Sequence, residues 1–112
     1  MPQVPTHITF RNMDEPQGLA DQIHAKVAGL EKLYPRLTAA RVTIERRTHR
    51  HPVGELFQVL IDITIPGAEL VVSREPSDHD AYQDLRTIVH GAFDDIRRQL
   101  ENHVSRQRAI QH

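Results

Sequence analysis

Histidine is the residue type in this sequence with the clearest capacity for metal chemistry, because the 112 residues include eight histidines and no cysteine. His49 and His51 lie two residues apart, and their imidazoles suggest a metal site. A zinc site needs further ligands, and the nearest candidates, His79 and Asp80, follow at no spacing known for such sites. We therefore expect solvated loop histidines, with no bound metal or other cofactor.

No local sequence motif indicates nucleophilic or acid-base catalysis. Without cysteine, the sequence has no thiol nucleophile, disulfide framework or thiolate metal site. Ser73, Ser77 and Ser105 lack the glycine setting of a nucleophile elbow. The acidic side chains of Asp78 and Asp80 are typical of the first turn of a helix, and the five glycines form no phosphate-binding loop. We predict that the protein is not an enzyme and has no small-molecule substrate.

The basic residues are the remaining candidates for function. They comprise twelve arginines and two lysines, and arginine can bind a phosphate with two hydrogen bonds or stack on a base. The same preference fits a bias in the base composition of the genome, and both explanations stay open. A formal net charge of -1 and a pI near 6.7 argue against nucleic-acid binding through bulk positive charge. Local clusters must therefore provide any such binding, for which we expect RNA and not DNA.

Residues 77–108 carry the most regular cluster and are predicted to form one long helix with an apolar face. The apolar stripe comprises Leu85, Ile88, Val89, Ala92, Phe93, Ile96, Leu100 and Val104. A row of basic residues at separations of 4, 7 and 11 lies beside it and comprises Arg86, His90, Arg97 and Arg108. His90 with Asp94, and Arg97 with Glu101, are also spaced for intrahelical pairing. A solvated face and a phosphate-binding face therefore both remain open.

The rest of the chain supplies the elements that position these side chains. Helical spacing predicts a first helix over residues 15–34, with Asp14 as its N-cap and Pro35 as its stop. The apolar stripe of this helix comprises Leu19, Ile23, Val27, Leu30 and Leu33. Alternating polarity predicts strands at residues 6–11, 41–47, 57–65 and 69–73.

The connections between these elements have their own signals. Residues 48–54 have no hydrophobic period and are predicted to form a surface loop. Pro66 and Gly67 predict a tight turn between the last two strands. Ser77, with Asp80 three residues later, predicts the start of the second helix.

Together these elements predict an α+β fold in the order β-α-β-β-β-α, with two helices packed on one face of a four-stranded sheet. The chain fits a single domain over residues 1–112, with a frayed tail at residues 107–112. The sequence shows neither a secretion signal nor an apolar run of about 18 residues. We therefore expect a cytoplasmic protein that does not bind membranes.

Three segments carry a resemblance to a known family: IHAKVAGLEKL at residues 23–33, GELFQVLIDITIPGAELVVSRE at residues 54–75 and AFDDIRRQLENH at residues 92–103. They are similar to the first helix, the strand pair and the second helix of the ribosome hibernation promoting factors, also called ribosome-associated inhibitors or subunit-interface proteins. The resemblance covers almost the whole chain. It implies a domain shaped like a double-stranded RNA-binding domain that occupies the mRNA channel and tRNA sites of the small ribosomal subunit and silences translation under stress.

The resemblance also implies that basic residues of both helices face the 16S rRNA. Lys26 and Lys32 fall where the family's first helix is typically basic, and Arg98 falls on the arginine before Gln-Leu in the second helix. With their basic neighbours, the predicted rRNA-binding residues are Lys26, Lys32, Arg36, Arg86, His90, Arg97 and Arg98. We expect inhibition by steric occlusion of the decoding region.

Two positions depart from the family pattern. Asp95 stands where the family commonly has lysine, and Gly29 occupies another position that is often basic. Lost phosphate contacts weaken RNA binding at cellular salt, so a protein-interaction module with weak or no rRNA affinity is the alternative interpretation. The sequence ends at His112 without the domain that long family members use to pair ribosomes, so we expect no self-driven ribosome dimerisation.

Overall fold

Four strands and two helices form the domain in the order that the sequence predicts. The structure is a computed structural model, and it describes residues 4–47, 56–75 and 84–110. The elements are β1 (Thr6–Arg11), α1 (Leu19–Leu33), β2 (Ala39–Arg47), β3 (Leu56–Ile65), β4 (Ala68–Arg74) and α2 (Leu85–Ile110). The predicted α+β class and the β-α-β-β-β-α order are confirmed.

The strands form one mixed sheet in which the spatial order β1-β2-β3-β4 follows the chain. β1 and β2 pair in parallel, so the chain must cross over between them, and α1 provides this crossover. The pairs β2 with β3 and β3 with β4 are antiparallel, as predicted. Pro66 and Gly67 form the predicted turn, in which Gly67 takes a left-handed φ of 79° that glycine adopts without strain.

The core lies between the sheet and the two helices. Alternate residues of β2 and β3 point toward the helices, and Val42, Ile44, Val59 and Ile61 have no exposed surface. The predicted apolar stripe of α2 is confirmed, because all of its members are buried or partly buried in this core. The opposite face of the sheet carries polar side chains such as the exposed Arg41. Both helices therefore pack on one face of the sheet.

The start of α1 differs from the prediction. The helix begins at Leu19, four residues after the predicted start, because Gly18 takes a left-handed φ of 80° that interrupts helical geometry. Ahead of it, the Leu19 N–H donates to the Pro16 carbonyl at 3.2 Å in a separate turn. No side chain caps the helix, so the prediction of Asp14 as the N-cap was wrong.

The end of α1 confirms the role of Pro35 and corrects the apolar stripe. The helix ends at Leu33, and Tyr34 leaves helical geometry just before the proline. Leu33, a member of the predicted stripe, is 44% exposed. Tyr34 is 7% exposed and packs into the core instead, because the change of backbone direction turns its side chain inward.

Asp84 caps α2. Its carbonyl accepts a hydrogen bond from the Ile88 N–H at 3.1 Å, and its carboxylate accepts one from the Arg86 N–H at 3.2 Å. The first contact is the opening backbone bond of the helix, and the second satisfies the Arg86 N–H, which has no carbonyl partner within the helix. The helix start predicted at Ser77 lies outside the described residues.

The far end of α2 continues to Ile110, so residues 107–110 of the predicted tail are helical in this structure. The loop predicted at residues 48–54 lies outside the described part of the chain. The same is true of the four candidate metal ligands, His49, His51, His79 and Asp80.

Candidate nucleic-acid interface

The two helices lie side by side and run in the same direction. Arg86 Nη1 in α2 donates to Gln22 Oε1 in α1 at 2.6 Å, and one turn further Lys26 Nζ lies 3.0 Å from His90 Nδ1. Because the contact positions advance together along both helices, the helices are parallel. We call their outer side, turned away from the sheet, the two-helix surface, and its exposed cations include Lys32 from α1 and Arg98 from α2.

Lys26 lies between two residues of α2. Its ammonium is 3.0 Å from His90 Nδ1 and 6.0 Å from the centre of the Phe93 ring, within reach of a cation–π attraction. An ammonium only donates, so Nδ1 must accept and the ring proton sits on Nε2. That nitrogen lies 3.4 Å from Asp94 Oδ2. Lys26, His90 and Asp94 therefore form one chain of contacts across the helix pair.

Arg86 links the beginnings of the two helices. Besides its bond to Gln22, its Nη2 donates to the Gln17 carbonyl at 2.9 Å. These contacts connect α2 to the turn that precedes α1. The guanidinium of Arg86 is therefore engaged within the domain, although the sequence prediction grouped it with the phosphate-binding residues.

Arg97 and Arg98 are adjacent in sequence but differ in their surroundings. Arg97 Nε donates to Glu101 Oε1 at 3.0 Å, which is the intrahelical pair that the spacing predicts. Arg98 Nη1 lies 3.8 Å from Asp95 Oδ1, and its side chain is 72% exposed. Exposed helix pairs contribute only about 0.3–0.5 kcal/mol. A phosphate can therefore replace either carboxylate at little cost in stability.

Lys32 and Arg36 lie in the last turn of α1 and just beyond it. Both are exposed, and neither forms a hydrogen bond or ion pair with another residue in the described part of the chain. Gly29, one turn before Lys32, has open space around it, since a Cβ there would meet no atom within 4 Å. Lys32, Arg36 and Arg98 are therefore the most accessible of the predicted cations.

Asp95, the acidic departure from the family pattern, is paired with an arginine from the sheet. Arg74 in β4 donates from Nε and Nη2 to the two carboxylate oxygens of Asp95, at 2.8 and 3.3 Å. The guanidinium lies against Gly91, where a Cβ would come within 2.8 Å of it. The negative charge of Asp95 is therefore largely compensated inside the domain.

Sequence reasoning missed Arg74 because its partner lies 21 residues away in another element. Intrahelical spacing can pair Asp95 only with neighbours such as Arg98. The local signal that could have indicated the contact is Gly91, a residue with poor helix propensity placed one turn before Asp95 in an otherwise regular helix.

Within residues 4–47, 56–75 and 84–110, no group of three or more His, Asp or Glu side chains could hold a metal ion. No helix in this part of the chain is long and apolar enough to cross a membrane.

The fold and the basic helix residues define a small α+β domain that presents two parallel helices on one side of a mixed sheet. A family model described as Sigma 54 modulation protein / S30EA ribosomal protein matches residues 6–108. This match spans all six elements, with two residues of α2 beyond it. The chain therefore belongs to this family, and the family resemblance seen in the sequence is confirmed.

Two solved structures share the fold. The N-terminal domain of Thermus thermophilus Protein Y is 18% identical with a TM-score of 0.66, and the match covers 91% of this chain and 99% of that one. A ribosomal subunit interface protein from Coxiella burnetii is 14% identical with a TM-score of 0.56, covering 95% of this chain and 99% of the other. At these identities the likeness concerns the fold alone. No curated protein sequence matches the chain significantly.

Proposed function

We propose that this protein is a non-enzymatic, cytoplasmic, ribosome-associated factor that binds the 16S rRNA of the small subunit through the two-helix surface. By occupying the decoding region it would prevent mRNA and tRNA from binding and so silence translation in resting or stressed cells. Membership of the S30EA ribosomal protein family supports the ribosome as the partner. The Coxiella burnetii neighbour is a ribosomal subunit interface protein, which agrees with this proposal.

The observation that carries the proposal is the accessibility of Lys32, Arg36 and Arg98 on or beside two parallel helices. Lys32 and Arg36 have no partner among the described residues, and Arg98 has only a long contact to Asp95. Cations with weak internal contacts can exchange them for rRNA phosphates and release counterions. Since Arg74 compensates Asp95, the carboxylate does not repel rRNA as strongly as the sequence suggests.

The remaining predicted residues have supporting roles in this proposal. Arg97 is exposed and can exchange Glu101 for a phosphate. Lys26 contacts His90 between the helices, so its ammonium adds positive potential near the surface while His90 holds it in place. Arg86 holds the helix starts together and thereby fixes the relative positions of the others.

The test is sedimentation of the purified protein with small subunits and with whole ribosomes. Lys32→Glu combined with Arg98→Glu should release it, and rising salt should weaken the wild-type complex. Each lost phosphate contact should make the negative slope of log affinity against log salt less steep by roughly 0.7–0.9. A matched control is Arg11→Glu with Arg41→Glu, which makes the same change in net charge at exposed positions of the sheet.

The control variant should stay bound, and circular dichroism should show that both variants are folded. Unchanged ribosome binding by Lys32→Glu/Arg98→Glu would refute the proposed surface. An equal loss in the control would show that bulk charge, and not the two-helix surface, determines binding.

A protein-interaction module on the same fold is the second candidate. It is favoured by the internal contacts of Lys26, Arg86 and Arg97, which reduce the free positive charge on the helices. This alternative predicts that purified ribosomes retain none of the protein, while a ribosome-free lysate yields a specific protein partner.

A further inference from the structure

A groove lies between the outer edge of β4 and the side of α2, with a volume of about 360 Å³. We call it the β4–α2 groove. Its residues from α2 recur at steps of three and four, so they line one side of the helix. The groove is lined by Val71, Val72 and Ser73 from β4 and by Asp95, Arg98, Gln99 and Asn102 from α2.

Two neutral amides dominate the chemistry of the groove. Gln99 Nε2 donates to the Val71 carbonyl at the edge of β4, at 3.3 Å, which leaves the Gln99 side-chain oxygen able to accept. Asn102 is exposed and has no hydrogen-bond partner among the described residues. Both side chains thus offer hydrogen-bonding groups to a molecule in the groove.

Charges lie at the ends of this amide pair. Arg98 lines the groove and also reaches the outer side of α2 beside Asp94 and Arg97. Arg106, one turn after Asn102, is exposed as well. The two arginines are eight positions apart, which is roughly 12 Å along the helix. Neutral groups therefore lie between two cations on one side of α2.

This arrangement favours a nucleobase in the groove over a phosphate. Asp95 places a carboxylate on the groove wall, and although Arg74 compensates its charge, its oxygens can only accept hydrogen bonds. Asn and Gln side chains pair with the donor and acceptor groups of base edges. Sequence-dependent RNA recognition uses unpaired bases that can reach such groups, while phosphates prefer arginines like Arg98 and Arg106.

We infer that the β4–α2 groove binds one unpaired nucleotide of the partner RNA, with its base on Gln99 and Asn102 and its flanking phosphates on Arg98 and Arg106. This inference rests on the proposed function, because Arg98 belongs to both the two-helix surface and the groove. It extends the RNA contact around α2 to the edge of β4. It also gives the protein a base-dependent contact that charge alone cannot supply.

The test compares ribosome affinity over a range of salt concentrations for Gln99→Ala/Asn102→Ala and for wild type. Affinity should fall by roughly tenfold for each amide side chain that bonds to a base. Because neutral contacts release no counterions, the slope of log affinity against log salt should stay unchanged. Thr9→Ala/Thr64→Ala removes two exposed neutral groups on the sheet face turned away from the helices and should bind like wild type. Chemical probing of the rRNA should show an unpaired base that wild type protects and the groove variant leaves reactive.

Two results would overturn the inference and leave the proposed function standing. In the first, the groove variant binds ribosomes and protects the rRNA base as wild type does, while Lys32→Glu/Arg98→Glu still releases the protein. The other is a loss of affinity accompanied by a smaller salt slope, which would show that the groove contacts a phosphate. If wild type itself fails to sediment with ribosomes, the proposed function fails and the inference fails with it.

Discussion

Gly91→Ala is predicted to change stability by an amount that depends on whether Arg74 is present. In an ordinary helix interior, alanine is more favourable than glycine by about 1 kcal/mol. At Gly91 the added Cβ would come within 2.8 Å of the Arg74 guanidinium. The arginine must then move and weaken its two hydrogen bonds to Asp95, which measure 2.8 and 3.3 Å.

The magnitude follows from the exposure of this ion pair. The side chains of Arg74 and Asp95 are 41% and 29% exposed, so solvent screens the pair and its contribution is about 1 kcal/mol. Gly91→Ala alone should therefore leave the free energy of unfolding nearly unchanged, because gain and loss cancel. In an Arg74→Ala background only the gain remains, and the same substitution should stabilise the protein by about 1 kcal/mol.

The assay is urea or thermal unfolding of wild type, both single variants and the double variant. A stabilisation of about 1 kcal/mol corresponds to roughly 4 °C in Tm for a domain of this size. Gly29→Ala is the matched control, because Gly29 lies inside α1 and an added Cβ would find no atom within 4 Å. It should stabilise both backgrounds equally. Equal effects of Gly91→Ala in both backgrounds would refute the contact between Arg74 and Gly91.

Two further predictions concern single positions. Arg86→Ala removes the hydrogen bonds to Gln22 and to the Gln17 carbonyl, so it should lower the free energy of unfolding by about 1 kcal/mol. Urea denaturation measures this change, and an unchanged midpoint would show that these bonds contribute nothing to stability. Gly67→Ala places a Cβ on a backbone with φ of 79° and should lower stability by roughly 1 kcal/mol, in contrast to Gly29→Ala. A Tm that does not fall would show that alanine adopts this turn without strain.

The strands could be predicted well because burial on one face imposes a strict alternation. The predicted range 6–11 coincides with β1, and the predicted range 57–65 differs from β3 by one residue. The same logic identified the buried face of α2, since apolar residues at helical spacing must face the core. The element order then left few ways to bury every apolar face, which is why the fold class was predictable.

Helix boundaries and contacts between elements were less predictable. The spacing of Asp14 and Gln17 matches a capping box, but the sequence pattern does not show that Gly18 adopts a left-handed conformation and delays the helix. The link from Arg86 to the start of α1 and the pair of Arg74 with Asp95 join residues far apart in the chain. Such contacts depend on how the elements pack, so periodicity within one element cannot reveal them.

Parallel packing of α1 and α2 aligns their macrodipoles. Each helix carries roughly half an elementary charge of each sign at its ends, so the negative poles of both helices point the same way, with α2 continuing well beyond the end of α1. Lys32 and Arg108 lie in the last turns of the two helices and offset this potential. The net charge of -1 therefore does not describe the local potential at either helix end, where a cation lies beside a negative pole. Charge reversal at Lys32 should consequently lower the free energy of unfolding by about 0.3–1 kcal/mol, separately from its proposed effect on binding.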